Sequence, residues 1–403
     1  MKACGLVVEY NPLHNGHLHH IQEAKRVSKS DCIIAVMSSS FLQRGEPAII
    51  DKFHRTKAAL KAGVDIVLEL PYAFSVQNSD LFALGAIRSL EAIGVNSICF
   101  GSESGSIHQF ISSYHKLAEN EMNYSYYLNK SLQLGLSFPM ASKNAFQELG
   151  LTEQLDLGRP NNILGFSYVK TILANRIPIE PLTIKRIESD YHDQQIKGNI
   201  ASATSIRKQL LKDGKISKEI LQSIPQITQE SLITYKALST LWHEWEDYFH
   251  LLKYRVSTMT SSELSKIHDV SEGLEHRIIA TEKRATSFYH WMSLLKTKRY
   301  TWTRLQRIFT HILTNSGKEE MKLVHEETLP YIRMLGFNDS GRKYLNARKK
   351  DIKLPIETKL RRNQPLLLNM EERAINAYYS ILPGKIKENL LKQERRLPIY
   401  ERE

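Results

Sequence analysis

Cysteine is scarce in this chain: 403 residues hold three, Cys4, Cys32 and Cys99, each inside or beside an apolar run and none in a short-spaced pair. That excludes a disulfide-stapled scaffold and a cysteine-type zinc site, and points to buried thiols in a reducing compartment. No apolar run approaches the roughly 18 residues of a membrane span, and no long hydrophobic leader opens the sequence. A cytoplasmic protein with no membrane partner is expected. Internal repeats and low-complexity linkers are also missing. Neither a His-Glu-x-x-His helix nor an acidic metal motif is visible, so no protein metal ligand is expected.

A balance of charge is missing as well. Lys and Arg number 55 against 43 Asp and Glu, a formal net charge of +12, and the excess is unevenly placed. Residues 1–210 carry 21 basic and 19 acidic side chains, residues 211–403 carry 34 and 24, and the last stretch, 341–403, holds 16 and 8. A near-neutral first half followed by a basic second half suggests a catalytic unit joined to one that binds a polyanion.

The most informative stretch is His14-Asn15-Gly16-His17, which follows the apolar run Ala3 to Val8 and leads into an amphipathic helix pattern. A helix N-terminus leaves backbone N–H groups unpaired and carries partial positive charge, which makes it a seat for phosphate. Gly16 lets backbone approach the phosphate, and two imidazoles can stabilise charge that builds when a nucleophile attacks an α-phosphorus. Asn11-Pro12 reads as a turn ending the strand near Tyr10. A metal cluster of His14, His17, His19 and His20 is the weaker alternative.

The first half alternates strand and helix signals as a Rossmann-like parallel α/β sheet does. Strands are expected at Cys32 to Met37, Val64 to Leu70, Ser97 to Phe100 and Leu182 to Ile184. Helices are expected from His17 to Lys29, Asp51 to Ala62 and Ser79 to Ile93, the last two closing on Gly63 and Gly94. Another runs from Ile163 to Asn175, with Asn161 or Asn162 as its cap. Ile200 to Arg207 is a Ser/Thr-rich turn opening a further helix, a second phosphate-seat pattern in which Ser202 and Ser205 cap and Arg207 follows one turn in. From residue 211 onward no comparable strand is visible. The expected organisation is therefore a nucleotide-binding catalytic α/β domain over 1–210 and a basic, mostly α-helical domain over 211–403, with helices at Glu230 to Tyr248 and Leu274 to Leu295. Lys298, Arg299, Trp302, Arg304 and Arg307 mix cations with an aromatic, a combination that grips phosphate and stacks on bases. An ordinary amphipathic helix with a solvated basic face gives the same pattern. Lys349 and Lys350 lie in loop-like surroundings and can track a backbone.

Glu9-Tyr10-Asn11-Pro12-Leu13-His14-Asn15-Gly16-His17 resembles the opening of the nucleotidylyltransferase superfamily. Gln43 to Ala48, Pro160 to Gly165, Thr183 to Arg186 and Ser202 to Arg207 narrow the likeness to bacterial tRNA(Met) cytidine acetate ligases, over nearly the whole chain. The resemblance implies that ATP and acetate form acetyl-adenylate and pyrophosphate, and that the acetyl group passes to N4 of the wobble cytidine in the anticodon of elongator tRNA(Met). It also implies His14 and His17 as the catalytic phosphate histidines. That motif, with Val7, Val8, Leu18 and His20, would wrap ATP, Gly101 would lie against the nucleotide, and Asn161 or Asn162 with Arg186 would complete the pocket. Mg2+ is expected, bound mainly through phosphates. One position departs from the family pattern: Ser39, in Ser38-Ser39-Ser40-Phe41, stands where a glycine is expected. A nucleotidylyltransferase that adenylates a small-molecule cofactor precursor would use the same sites without needing the basic half. A non-enzymatic RNA-binding protein would not need His14, Gly16, His17 and Arg207.

Overall fold

In a computed structural model, which describes residues 1–151, 155–186 and 201–402, eight strands form one sheet. They are β1 (Ala3–Val8), β2 (Cys32–Ser38), β3 (Ile66–Leu70), β4 (Ser97–Ser102), β5 (Glu180–Lys185), β6 (Ile332–Asn338), β7 (Ile356–Glu357) and β8 (Ile399–Glu401). The order is β5-β4-β1-β2-β3-β6-β7, with β8 also on β6. All pairings are parallel except β3 with β6. Every residue of β2 and β3 is buried, as parallel strands covered on both faces require. Strand order reverses between β1 and β4, so the loop after β1 opens at the switch point where such sheets bind ligands.

The helices that frame the site are α1 (Asn15–Ser28), α2 (Lys52–Lys61), α3 (Ser79–Ile93), α4 (Pro160–Ala174), α5 (Ala203–Asp213), α6 (Trp302–Thr314) and α7 (Leu366–Tyr378). The first three sit where the sequence pattern places them, and Gly63 and Gly94 take φ of 102° and 85° after α2 and α3. α4 starts three residues earlier than expected. Pro160 occupies its first position, where a missing N–H costs nothing, so Asn161 and Asn162 lie inside the first turn and do not cap it. Ser202 caps α5 as expected, its hydroxyl accepting from the Ser205 N–H. Ile200, at the head of that turn, lies outside the described residues.

Residues 211–403 are mostly helical, as expected, but the expectation of no strand there is corrected, and so are the spans of two helices. Tyr331 to Asn338 contains an arginine and a glycine within an apolar run, with no polar alternation, and so resembles a buried helix segment; it is β6, the strand that joins the second half to the sheet. The expected helices at 230–248 and 274–295 are each broken. Thr240 turns left-handed after a helix ending at Ser239, and Ser287 caps a new helix at Phe288–Leu295. One apolar core runs through both halves, and a second, built on Trp291, Phe288 and Phe309, lies within the helices of 245–312. No helix among the described residues is long and apolar enough to cross a membrane, and all three cysteines are buried and free.

Beneath β3 and β6 lies a buried ionic cluster. Lys52 Nζ meets Glu69 at 2.5 Å and Glu394 at 2.9 Å, while Arg333 meets Glu69 at 2.8 Å and Glu394 at 2.7 Å. Glu371 stands farther off, 3.9 Å from Lys52, and accepts from the Tyr72 N–H at 2.7 Å. Burial, and then the adjacent Glu69 carboxylate, push the Glu371 carboxyl up to about 8. With Glu371 protonated at neutral pH, two cations face two carboxylates. Ser39 donates its hydroxyl to Glu371. Its backbone stays out of the left-handed region, so the turn tolerates a side chain where a glycine was expected.

Glu371→Gln, which mimics the protonated form, is therefore expected to keep the parent's thermal stability near pH 5. Because the folded-state value lies above the ordinary 4.5, the parent loses stability as pH rises from 4.5 toward 8. The variant should accordingly gain on it across that window in melting scans. Lys52→Met, which strands buried carboxylates, should lose about 3–5 kcal/mol at pH 7. A pH-independent difference between the parent and Glu371→Gln would show that Glu371 is ionised throughout.

Candidate active site

β1 ends at Val8, and Tyr10 takes a left-handed φ of 48° that turns the chain across the end of the sheet. His14 then caps α1 in extended geometry. His17, one turn in, accepts from the His14 N–H at 3.2 Å through Nδ1, and the two rings stack with centroids 3.7 Å apart. Gly16 also makes room for the His14 imidazole, since a Cβ there would lie 3.0 Å from His14 Cε1. His14 Nδ1 is buried and has no hydrogen-bond partner, a polar atom awaiting a ligand. Burial, followed by the Arg186 guanidinium, holds His14 down at about 3. Burial likewise lowers His17, helped by His14 and Arg186, and lowers His20 to about 4. All three are neutral at pH 7. His20 donates to the Cys99 carbonyl at 3.2 Å, which ties α1 to β4.

These groups line a cleft of about 250 Å³ over the switch point. Val7, Val8, Glu9, Tyr10, Asn11, His14, His17, His20, Gly101, Asn161, Arg186, Ser202 and Arg207 all face it. Other residues of the expected set are used elsewhere. Leu13 is buried in the apolar core and Leu18 packs against it. Asn15 donates to the Gln222 carbonyl at 2.9 Å. Ser205 donates back to the Ser202 carbonyl at 2.8 Å. Pro12 and Ser205 are outside the lining, where Thr204 takes a place instead.

The Asn pair separates cleanly. Asn161 reaches the cleft while bonded to Glu103 at 2.7 Å. Asn162 is buried, accepting from the Glu103 and Ser104 N–H groups and donating to the Asp156 carbonyl. Gly101 is needed for room, since a Cβ there would press on Arg186 at 3.1 Å. Sequence reasoning missed the carboxylate of Glu103, which binds the N–H groups of Asn161 and Asn162 at the start of α4.

The far wall is the turn Leu42–Glu46, whose residues Gln43, Arg44 and Glu46 face the cleft. Gln43 N–H bonds to Glu9 at 2.8 Å, and Glu46 pairs with Arg207 at 2.6 Å. Arg207 also donates to the Asn11 carbonyl at 2.9 Å, so the start of α5 is bolted to the turn after β1. Gly45, at φ 84°, lies flat on α6: a Cβ would fall 2.5 Å from the Arg307 nitrogen, and Thr310 donates to the Gly45 carbonyl at 2.7 Å. Phe82, Leu164 and Tyr168 supply an apolar part of the lining.

Of the expected RNA contacts, Lys298 is exposed and Arg299 is half-exposed, paired with Glu272 at 2.6 Å. Trp302 stacks near Tyr289 at 6.2 Å. Arg304 donates to Ser271 at 2.9 Å, and Arg307 is largely buried, 3.7 Å from Asp269. Lys349 and Lys350 are exposed on a separate element, just past a helix ending at Arg348.

The family model of the HIGH nucleotidyl transferases matches residues 1–394. The tRNA(Met) cytidine acetate ligase of Oceanobacillus iheyensis is 54% identical over 400 residues, covering 99% of this chain and 100% of that protein. The Bacillus subtilis protein of the same name is 45% identical, covering 94% and 92%. Crystal structures of Thermotoga maritima TmcAL, one apo and one bound with alpha-thio ATP, superpose with TM-scores of 0.90 and 0.89 at 34% identity and full coverage of both chains. With that identity along the whole length, and with the histidine cap at the switch point, the chain belongs to the tRNA(Met) cytidine acetate ligase family of HIGH nucleotidyl transferases.

Proposed function

We propose that this protein is an ATP-dependent ligase that acetylates N4 of the wobble cytidine of elongator tRNA(Met), working in the cytoplasm where its tRNA resides. The observation that carries this reading is the pair of phosphate seats, α1 with His14 and His17 and α5 with Ser202 and Arg207, fastened together across one cleft that a basic helical region adjoins.

Acetate is a poor acyl donor and must first be activated. One of its oxygens attacks the α-phosphorus of ATP, the bond to the bridging oxygen breaks, and pyrophosphate leaves. The helix termini, neutral histidine N–H donors and Arg207 stabilise charge on the phosphates in a desolvated cleft. Phe82, Leu164 and Tyr168 offer apolar contact for the acetate methyl. In the second step the cytidine amine attacks the acyl carbon, the C–O bond to AMP breaks, and N4 sheds one proton. No general base is assigned: a highly activated acyl group lowers the demand for one.

Mg2+ fits the donor set only as a phosphate-bound ion. The carboxylates facing the cleft are Glu9 and Glu46, one accepting from Gln43 and the other paired with Arg207. The ion would be held by phosphate oxygens and water, and would neutralise triphosphate charge.

His17→Ala is expected to cut acetate-dependent exchange of pyrophosphate into ATP by about 10²–10³-fold while tRNA affinity holds, because the imidazole acts on phosphate charge. Exchange at the parental rate would remove His17 from the mechanism. Replacing Lys298 and Arg299 with alanine should weaken tRNA binding and flatten the slope of log K against log salt by about 1–2. An unaltered slope would move the RNA surface elsewhere, with Lys349 and Lys350 next to be tested.

A further inference from the structure

Two further cavities meet the cleft, one at each end of the Leu42–Glu46 turn. The larger, about 690 Å³, shares Gln43, Arg44 and Leu164 with the cleft. The smaller, about 520 Å³, shares Glu46, Thr204 and Arg207. α6 runs between them. Thr303, Arg304 and Arg307 line the larger cavity, Trp302 and Gln306 the smaller, as helix neighbours one turn apart fall on common faces.

The stereochemistry of adenylation separates their roles. In a displacement at phosphorus, the attacking and leaving oxygens stand roughly in line across the phosphorus. Pyrophosphate is the leaving group, and it belongs with the phosphate seats, at the end where Arg207 holds Glu46. Acetate therefore enters from the opposite side, where Gln43 and Leu164 form the wall. The acyl carbon that the amine must reach lies on that same side, and of the two cavities the larger opens there. The smaller has the richer aromatic lining, with Trp245, Tyr289 and Trp302, but it opens where pyrophosphate must depart.

We propose that the larger cavity receives the extruded wobble cytidine and directs its N4 amine past Gln43 to the acyl carbon. The proposal rests on the acetate-ligase reading above. Its volume falls in the range of sites that enclose a nucleotide-sized ligand. Phe138, 57% exposed on its lining, supplies a ring face for stacking. Arg299 and Arg304 supply cations for the flanking phosphates. Gln43 donates its side-chain amide to the Gln77 carbonyl at 2.9 Å, so the group it can offer an incoming amine is its carboxamide oxygen. An N–H donor at C4 suits that acceptor and a uracil carbonyl does not. In the transfer, the bond from N4 to the acyl carbon forms, the bond from that carbon to the AMP oxygen breaks, and the N4 proton passes to solvent or to the departing AMP.

A tRNA transcript with 5-iodocytidine at the wobble position tests this directly, since it keeps the N4 amine and carries a photoreactive iodine beside it at C5. Irradiation with the full-length protein, followed by mass mapping, is expected to crosslink Phe138, Leu81, which also lines this cavity, or the Gln43 segment. A crosslink at Trp245, Tyr289 or Trp302, or none at the larger cavity while tRNA is bound, overturns the proposal. Two variants give an independent readout. Phe138→Ala and Leu81→Arg should leave acetate-dependent pyrophosphate exchange within about twofold. They should lower kcat/KM for tRNA acetylation by about tenfold or more. Parental acetylation in both variants overturns the cavity assignment. Loss of acetate-dependent exchange in the parent protein would instead overturn the acetate-ligase reading, and the crosslink would still report where the base sits.

Discussion

Lys52 and Arg333 bind the fold together because neither can be withdrawn without leaving carboxylates buried and unpaired. Glu69 comes from β3, Arg333 from β6, Glu371 from α7 and Glu394 from the C-terminal segment, so the cluster closes the sheet against three later stretches of chain. Such groups are rarely more stabilising than well-packed apolar residues of the same volume. What they add here is register. Glu69 pairs directly with Arg333 in the β3–β6 ladder, and a slip of one residue would turn the two charges onto opposite faces. The antiparallel strand from the far end of the sequence thus has one alignment that satisfies its arginine, and the helical region that follows and precedes it is fixed to the sheet by that choice.

The same cluster reaches the cleft through Ser39 and Arg55. Ser39 touches Glu371 on one side, and its carbonyl, with those of Glu9 and Ser38, receives the Arg55 guanidinium. The segments leaving β1 and β2 are therefore held by a single buried cation. From there the chain runs into the Leu42–Glu46 turn, which packs against the backbone of α6 at Gly45. The cleft and both neighbouring cavities share residues of that turn as a common wall. Gly45 lies against the α6 backbone between Gln43 and Glu46, so the position of α6 and the position of those two side chains are set together.

Much of this was legible in the sequence, and the gaps have physical causes. α2 and α3 follow from apolar periodicity with a polar cap at one end and a glycine at the other, information that is local. The two phosphate seats are equally local, a helix start with the right side chains in its first turn. β6 was not legible, because a buried strand that carries an arginine as its second residue is intelligible only once Glu69 and Glu394 stand beside it. Asn161 and Asn162 could not be told apart from sequence, since their roles depend on the Glu103 carboxylate and the carbonyl of Asp156, far or offset along the chain. The cations of 298–307 looked alike as letters. Their partners separate them: Arg307 is bound inward to Asp269, while Lys298 stays in solvent.

The neutrality of the histidines follows from their burial beside a cation that already faces the cleft, Arg186. A protonated imidazole pair at 3.7 Å between ring centres would repel itself and Arg186 in a desolvated cleft. Kept neutral by burial, His14 and His17 act as fixed dipoles whose positions are set by the helix cap and by the space Gly16 leaves. Fixed dipoles aimed at developing charge need no reorganisation when that charge appears. Lys298, Lys349 and Lys350 stand outside the cleft, where water screens their charge.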